Sequence, residues 1–203
     1  MTKLAIAINK ERCVGCHTCA NACKMQNNVP MGMLWNRILT EGVDTLDGAK
    51  GEYPNLTREY LPVQCQHCEN AACLTGATYK DDKGRVEIDY DKCIGCRMCM
   101  AACPFNARVF NWEEPVRDPD VNYGDARVPV RNKGVMEKCT LCKERTDDGD
   151  VPMCVRVCPA RARTFGDLDD PESDISKLAR ERVGDVHHLL EEKGTRPQLF
   201  YIG

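Results

Sequence analysis

Four cysteines within eleven residues constrain this chain more than any other feature of its sequence. They lie in the segment Asp91–Pro104, DKCIGCRMCMAACP, with the spacing C-x2-C-x2-C-x3-C and a proline directly after the fourth cysteine. Three closely spaced thiolates suit one iron–sulfur cube, while a fourth thiolate after a longer gap reaches a neighbouring cube. Zinc is the alternative, but zinc sites usually take two cysteines from each of two loops. The spacing therefore favours iron–sulfur clusters over zinc.

Similar cysteine groups occur four times along the chain, which indicates an internal repeat. The pattern C-P-x-x-A-R-x-F also occurs twice, as Cys103–Phe110 and Cys158–Phe165. The groups are group one (Cys13, Cys16, Cys19, Cys23), group two (Cys65, Cys68, Cys73), group three (Cys93, Cys96, Cys99, Cys103) and group four (Cys139, Cys142, Cys154, Cys158). Strand-like segments lead into them at Leu4–Asn9, Leu61–Gln64, Arg85–Asp89 and Gly134–Glu137.

Four groups predict an α+β fold that contains two ferredoxin-like, two-cluster units. The first unit is discontinuous and comprises residues 1–26 and 134–170, while the second comprises residues 60–112. Residues 27–59 and 113–133 are predicted to be irregular connections that contact a partner. Residues 171–203 are predicted to form a C-terminal helix and a docking tail.

Smaller features refine this division. A helix is predicted over Ile175–Arg182 with Ser173 as its N-cap, and the tail Gly194–Gly203 is expected to be extended. Tyr79–Asp89 is predicted to be a hairpin that turns at Asp81–Gly84. Trp35 is interpreted as local core rather than a partner contact. The adjacent His187 and His188 lack a partner at ligand spacing and are interpreted as surface residues.

Composition supports a fold that depends on metal. Fifteen of the 203 residues are cysteine, an odd number that excludes complete disulfide pairing, and only 6% are aromatic. We therefore expect metal–thiolate bonds to replace apolar burial and the metal-free chain to fold poorly. The net charge of −3 does not count the clusters, which are anionic together with their thiolate ligands. Nothing in this charge favours binding to nucleic acid or to an acidic membrane surface.

The sequence contains no run of eighteen apolar residues, the length that a membrane-spanning helix needs. The first residues, MTKLAIAINKERC, are predicted to form a strand that enters a cluster loop rather than a signal peptide. The expectation is that export or membrane attachment comes from a partner.

Four segments together resemble the iron–sulfur subunits of the molybdopterin (molybdenum or tungsten) oxidoreductases. This family includes the polysulfide, thiosulfate, dimethyl sulfoxide and nitrate reductases and formate dehydrogenase. The segments that carry the resemblance are Cys13–Gly32, Tyr60–Cys73, Asp91–Arg108 and Lys138–Ser173. The tail GTRPQLFY most resembles the polysulfide branch. The resemblance covers essentially the whole chain and diverges only in the loops.

The resemblance implies a wiring of the cysteines. Groups one and four share a unit, in which Cys13, Cys16, Cys19 and Cys158 hold one cluster and Cys139, Cys142, Cys154 and Cys23 hold its neighbour. Groups two and three share the other unit. In relatives the group-one cluster faces the catalytic subunit and the group-three cluster lies near a membrane subunit. Electrons pass along the clusters between the molybdenum or tungsten site and a quinone pool.

On this interpretation the chain is a non-catalytic electron-transfer subunit, and its side chains set cluster potentials. Four basic residues beside ligands either raise local potentials or are simply surface charges: Lys92, Arg97, Lys138 and Lys143. The alternatives to the function are a free-standing polyferredoxin, a small subunit of a hydrogenase or other cytoplasmic dehydrogenase, and a structural zinc protein.

Group two has only three cysteines. Relatives continue this group as C-x2-C-x4-C-x3-C-P-T-G-A, whereas Cys73 here runs directly into Leu74-Thr75-Gly76-Ala77. Either Cys73 is a third ligand, which leaves the Cys93/Cys96/Cys99 cluster one thiolate short, or it is a fourth ligand, which leaves the Cys65/Cys68 cluster short. The remaining alternative is that the sequence omits a short segment. The first alternative is favoured, because Glu69-Asn70 directly after Cys68 fixes the alignment with the pattern of relatives on that side of the group. It predicts three 4Fe-4S clusters and one cluster that is 3Fe-4S or has a non-cysteine ligand.

Overall fold

The computed structural model describes residues 2–43, 45–116, 121 and 123–203, and it shows a mixed α+β fold with short helices. The strands are β1 (Leu4–Asn9), β2 (Arg37–Thr40), β3 (Lys50–Glu52), β4 (Asn55–Thr57), β5 (Tyr60–Val63), β6 (Thr78–Lys80), β7 (Val86–Ile88), β8 (Val109–Phe110), β9 (Met136–Glu137), β10 (Arg163–Asp167), β11 (Val186–His187) and β12 (Phe200–Ile202). The α-helices are α1 (Thr18–Gln26), α2 (Met98–Ala101), α3 (Lys143–Asp147), α4 (Met153–Arg156) and α5 (Asp174–Glu181), and Glu191–Lys193 forms a 3-10 turn. All four predicted strands are present: the first has the predicted bounds as β1, the second is shifted by one residue as β5, and the last two are shortened to β7 and β9.

The largest sheet joins both ends of the chain in the order β10-β1-β12-β11. Strand β1 pairs antiparallel with β10 and parallel with β12, for example Ile6 with Phe165 and Ile8 with Tyr201. As a central strand, β1 is buried on both faces, which explains its almost continuous apolar sequence LAIAIN. The extended tail predicted for the C-terminus thus includes a strand inside this sheet.

Alternation along β1 separates two layers of core. Ile6 and Ile8 point toward the cysteines, while Ala5 and Ala7 point toward a smaller cluster around the buried Ile175 of α5. The small alanines leave room for the helix to pack closely on the sheet. Helix α5 begins one residue earlier than predicted, and Ser173 occupies its N-cap without a side-chain hydrogen bond.

The tail also contacts the loop of group two. Backbone amides of Glu69 and Asn70 donate to the carbonyl oxygens of Arg196 and Thr195 at 2.8 and 3.0 Å. The buried Tyr201 hydroxyl donates to the carbonyl of Pro62 at 2.8 Å. His187 stacks on Tyr201, and both predicted surface histidines are in fact half-buried against this tail. The tail therefore links the large sheet to the segment that carries the cysteines of group two.

The first connection is more regular than predicted. Strand β2 pairs with β5, and β3 pairs with β4, so residues 27–59 contain three short strands. Trp35 is buried, as predicted, and its Nε1 donates to Glu137 Oε2 at 3.0 Å. The predicted hairpin is present as β6 and β7, with Asp81 Oδ1 accepting the amides of Lys83 and Arg85 at its turn. In the second connection, residues 117–120 and 122 lie outside the described residues.

Among the residues described above, no helix has both the length and the apolarity required to cross a lipid bilayer.

Candidate iron–sulfur cluster sites

The cysteine loops turn sharply through left-handed backbone conformations before entering short helices. Gly15 and Gly95 have positive φ values of 65° and 68° at equivalent positions of groups one and three. A Cβ on Gly95 would stand 2.2 Å from the carbonyl oxygen of Gly134, so only glycine fits there. His17 and Arg97, also left-handed, are the N-caps of α1 and α2. These turns place the first three cysteines of groups one and three around one space. The third cysteine already lies in the helix, as Cys19 does in α1 and Cys99 in α2, and the fourth follows four residues later.

Site 1 combines group one with a distant cysteine of group four. A small cavity of about 20 Å³ is lined by four cysteines, the last of which lies more than a hundred residues from the others in sequence, namely Cys13, Cys16, Cys19 and Cys158. The Ala162 amide donates to Cys158 Sγ at 3.3 Å. Cys16 is exposed while Cys19 is buried, so the site lies with one edge at the protein surface.

Site 2 is the reciprocal set, Cys23, Cys139, Cys142 and Cys154, and all four side chains are buried. Burial raises the pKa of Cys23 well above its usual value, and the nearby thiols of Cys139, Cys142 and Cys154 raise it further. Burial likewise raises the pKa of Cys154 to about 12. Thiols with such values remain protonated at neutral pH until a metal replaces their protons. The set is therefore suited to a buried metal group and unsuited to free thiolate chemistry.

Site 3 is formed by Cys65, Cys68, Cys73 and Cys103, which line a second cavity of about 20 Å³. Thr195 of the C-terminal tail also lines this cavity. Burial raises the pKa of Cys68 to about 12. The structure thus groups Cys73 with Cys65 and Cys68, which is the position of a third ligand, and adds Cys103 from group three.

Site 4 contains only Cys93, Cys96 and Cys99 among the cysteines of the described residues. Its cavity is about 240 Å³, compared with about 20 Å³ at sites 1 and 3. The same cavity is also lined by Thr75, Gly76, Ala77 and Thr78, the segment that follows the shortened group two. Cys96 is exposed and Cys99 is buried. The larger space therefore coincides with the missing thiolate.

Two buried arginines that the sequence reasoning did not single out lie against these sites. Arg163 Nη1 is 3.9 Å from Cys154 Sγ, and Arg108 Nη2 is 3.1 Å from Cys73 Sγ. Arg108 and Arg163 occupy the same position of the repeated C-P-x-x-A-R-x-F pattern. That internal repetition was the available signal, because an arginine present in both copies of a cluster motif points to a shared role in the site.

The four basic residues that were predicted near ligands behave differently from one another. Lys92 is exposed and pairs with Asp89 at 2.6 Å, which agrees with the surface alternative. Arg97 lies over the rings of Phe110 and Trp112. Lys138 is only 1% exposed, so the surface alternative is wrong for this residue. Its ammonium donates to the carbonyl oxygens of Cys139 and Val86. Lys143 is partly exposed at the start of α3.

The donor sets fit iron–sulfur clusters better than single metal ions. In the part of the chain that the structure describes, no three His, Cys, Asp or Glu side chains converge closely enough to hold one ion. At sites 1, 3 and 4 the cysteines instead line the walls of a cavity, as the ligands of a multi-iron group must. Some thiols also accept backbone N–H groups, for example Cys139 from Leu141 at 3.4 Å. Sites 1, 2 and 3 offer four thiols, and site 4 offers three.

Comparisons with known proteins agree with this assignment. A family model described as a 4Fe-4S dicluster domain matches residues 56–118 and 125–168, and one described as a 4Fe-4S binding domain matches residues 6–26. A Halobacterium salinarum protein, provisionally named as an iron-sulfur subunit of dimethyl sulfoxide reductase, is 54% identical over all of this chain and 79% of its own length. A selenate reductase subunit of Mesobacillus selenatarsenatis is 38% identical over 97% of this chain and 70% of its own length. The arsenate respiratory reductase iron-sulfur subunit of a Shewanella species is 35% identical over 98% of this chain and 96% of its own length.

Proposed function

This chain belongs to the family of iron–sulfur electron-transfer subunits of molybdopterin oxidoreductases, and we propose that it holds four clusters in a row. The row runs from site 1 through sites 2 and 3 to site 4, with sites 1 and 2 in one ferredoxin-like unit and sites 3 and 4 in the other. The observation that carries the proposal is the meeting of distant cysteines, such as Cys13 and Cys158, around one cavity.

Each cluster, when bound, supplies a centre that accepts and releases one electron. The protein's own residues do the remaining work. The cysteines hold the clusters, and the buried shell around site 2 and the inner sides of sites 1 and 3 excludes water. Backbone N–H groups and nearby cations set the potential at which each centre is reduced. Substrate chemistry belongs to another subunit.

The two ends of the row are the proposed points of electron entry and exit. Site 1 presents the exposed Cys16 beside Val14, which is 63% exposed, and site 4 presents the exposed Cys96 beside Ile94, which is 87% exposed. An exposed cluster edge with an apolar neighbour suits close contact with an electron-transfer partner. By resemblance, site 1 would face a molybdenum or tungsten pterin subunit and site 4 a quinone-reactive membrane subunit.

The proposed location follows from these partners. The chain would be membrane-associated through the quinone-reactive subunit, and its resemblance to the polysulfide branch favours the extracytoplasmic side by export with the catalytic subunit. Fractionation of cells that express the chain with and without its catalytic partner tests this. If the chain reaches the outside when expressed alone, the co-export proposal is wrong.

We further propose three 4Fe-4S clusters at sites 1, 2 and 3 and one incomplete cluster at site 4. With three thiols, site 4 would hold a 3Fe-4S cluster or a 4Fe-4S cluster with an oxygen ligand or water at the fourth iron. The open cavity at this site supports the assignment. Low-temperature electron paramagnetic resonance of the oxidised protein is expected to show one 3Fe-4S signal beside three silent cubes. Four cubes with four cysteine ligands each need more than the fifteen cysteines of this sequence. Finding them would indicate that the sequence omits a segment.

Purification of the tagged chain from its own cells tests the subunit role directly. We expect it to bring down a large pterin-containing chain, and we expect the substrate or reductant of that enzyme to change the oxidation state of the clusters. A chain that purifies alone and exchanges electrons with a soluble dehydrogenase would instead support a free-standing polyferredoxin.

A further inference from the structure

Three buried cations lie at the three junctions of the proposed row of clusters. They are Arg163, Lys138 and Arg108, with exposures of 5%, 1% and 2%. Burying a charge is costly unless an opposite charge or strong hydrogen bonds compensate it. The partners of these three side chains therefore indicate what compensates them.

Arg163 lies between sites 1 and 2. It lines the cavity of site 1, and its guanidinium is 3.9 Å from Cys154 Sγ of site 2. Its remaining partners are the neutral amide oxygens of Gln64 at 2.7 Å and Asn36 at 3.1 Å.

Arg108 takes the equivalent place between sites 3 and 4. It lines the cavity of site 3, donates to Cys73 Sγ at 3.1 Å and lies 3.4 Å from Thr78 Oγ1, at the wall of site 4.

Lys138 lies at the middle junction, between sites 2 and 3. It directly precedes Cys139 of site 2, and its ammonium is held by two backbone carbonyl oxygens. Lys138 also reaches site 3, because one of these carbonyls belongs to Val86, which lines the cavity of that site.

None of the three cations has a carboxylate within 4 Å among the residues that the structure describes. Other buried cations here do have one, since Arg85 pairs with Asp81 and Arg131 pairs with Glu137. The acidic groups in contact with Arg163 and Arg108 are instead the thiols of Cys154 and Cys73. Lys138, whose ammonium donates to the Val86 carbonyl, also lies near the buried carboxyl group of Glu87.

We propose that Arg163, Lys138 and Arg108 are positioning residues that act as counter-ions shared by adjacent clusters, so that each raises the reduction potential of both clusters at its junction. The inference rests on the proposed row of four clusters. One-electron reduction adds a negative charge to a cluster, and a fixed cation in a buried, low-dielectric place stabilises that charge. A cation between two clusters also weakens the repulsion between them, which allows neighbouring clusters to be reduced together.

The test is a redox titration of the complex purified with its catalytic partner, followed by electron paramagnetic resonance, for wild type and Arg163→Gln. We expect the clusters of sites 1 and 2 to lose at least tenfold in the ratio of reduced to oxidised form at a fixed potential, about 59 mV for a one-electron couple. The clusters of sites 3 and 4 are expected to titrate as in wild type. Arg108→Gln is expected to give the mirror result.

Two further variants keep the test decisive. Arg161→Gln, in the same loop but exposed, is the matched control and is expected to leave all four potentials unchanged because water and salt screen its charge. Arg163→Lys keeps the charge and is expected to fall between wild type and Arg163→Gln, and it carries the test if the glutamine variant loses iron.

The outcomes separate this inference from the proposed function. Wild-type potentials in an iron-replete Arg163→Gln variant, or an equal shift at all four clusters, would overturn the counter-ion role. A wild-type complex without iron–sulfur signals would instead overturn the row of clusters itself.

Discussion

Sites 1 and 2 differ from sites 3 and 4 in how completely the protein closes them. Sites 1 and 2 are made from four cysteines each, and site 1 closes around a cavity of about 20 Å³. Site 3 closes equally tightly by taking Cys103 from group three, as site 1 takes Cys158 from group four, whereas site 4 is left with three cysteines and about 240 Å³.

The difference shows that the fourth cysteine closes a site from a distance. In each unit, the last cysteine of one group completes the site of the other group, so a deletion in group two opens the site of group three. A local change in sequence near residue 74 therefore has its structural consequence around Cys93, Cys96 and Cys99. Four predictions test this contrast between closed and open sites, beginning with the largest expected effect.

The largest effect is expected from Cys142→Ser, because Cys142 is buried in the complete site 2. Loss of this cluster should remove about four iron atoms per chain and unfold its surroundings, since thiolate ligation and folding are coupled. Hydrogen exchange should then rise in residues 134–170 well before it rises in residues 60–112. Cys96→Ser at the exposed, incomplete site 4 is the comparison and should lower thermal stability less. Unchanged iron content and melting temperature in Cys142→Ser would contradict metal-dependent folding.

The second prediction closes site 4. Insertion of Val-Val-Cys-Pro between Leu74 and Thr75 restores the C-x3-C-P spacing after Cys73 and should complete the fourth site. We expect the 3Fe-4S signal to disappear and the iron content to rise by about one atom per chain. The control insertion Val-Val-Ser-Pro supplies the same length without a thiol. If both insertions give the same spectrum, the missing cysteine is not what distinguishes site 4.

The third prediction concerns the network that joins the two halves. Glu137 is fully buried and lies two residues before Cys139 in the chain. Its carboxylate accepts hydrogen bonds from Trp35 Nε1 at 3.0 Å and Asn111 Nδ2 at 2.7 Å, and it lies 3.3 Å from Arg131 Nε. Glu137→Gln removes the charge opposite a buried guanidinium and is expected to cost about 3–5 kcal/mol of unfolding free energy. Chemical unfolding measures this cost, and the exposed Glu114→Gln is the control. Equal stability of the two variants would show that the network contributes little.

The smallest effect is expected from Glu87→Gln on β7. Glu87 is 5% exposed, its Oε1 lacks a hydrogen-bond partner among the described residues, and burial raises its pKa above the usual value. Because the folded state holds the proton more tightly, stability falls as pH rises from the unfolded pKa of about 4.3 through the higher folded value. Removing the ionisable group should therefore stabilise the protein at pH 8 by on the order of 1 kcal/mol. Melting temperatures between pH 5 and 8 check this, and the advantage should shrink as the pH falls. A constant difference would exclude titration of Glu87 as its cause.

Much of the fold and of the sites follows from local sequence. The strand β1 was predictable because its apolar run LAIAIN ends just before group one, and the hairpin was predictable from Asp81–Gly84. Strand β2 was missed, since its pairing with β5 depends on contacts that no local pattern records. The local hairpin of β3 and β4 was missed as well. The extended tail was predicted, but the pairing of its strand β12 was not, because its partners in β1 lie almost the whole chain away.

The spacing of the cysteines by itself predicted that this protein binds iron–sulfur clusters, because spacing decides which thiolates can reach one cluster. Spacing left open whether Cys73 acts as a third or a fourth ligand, since both readings satisfy the local pattern. The folded chain groups Cys73 with Cys65, Cys68 and Cys103, leaves site 4 open, and buries Arg108, Lys138 and Arg163 between sites. These features depend on tertiary structure because spacing acts within one loop, whereas closure of a site and burial of a charge need segments that meet only after folding.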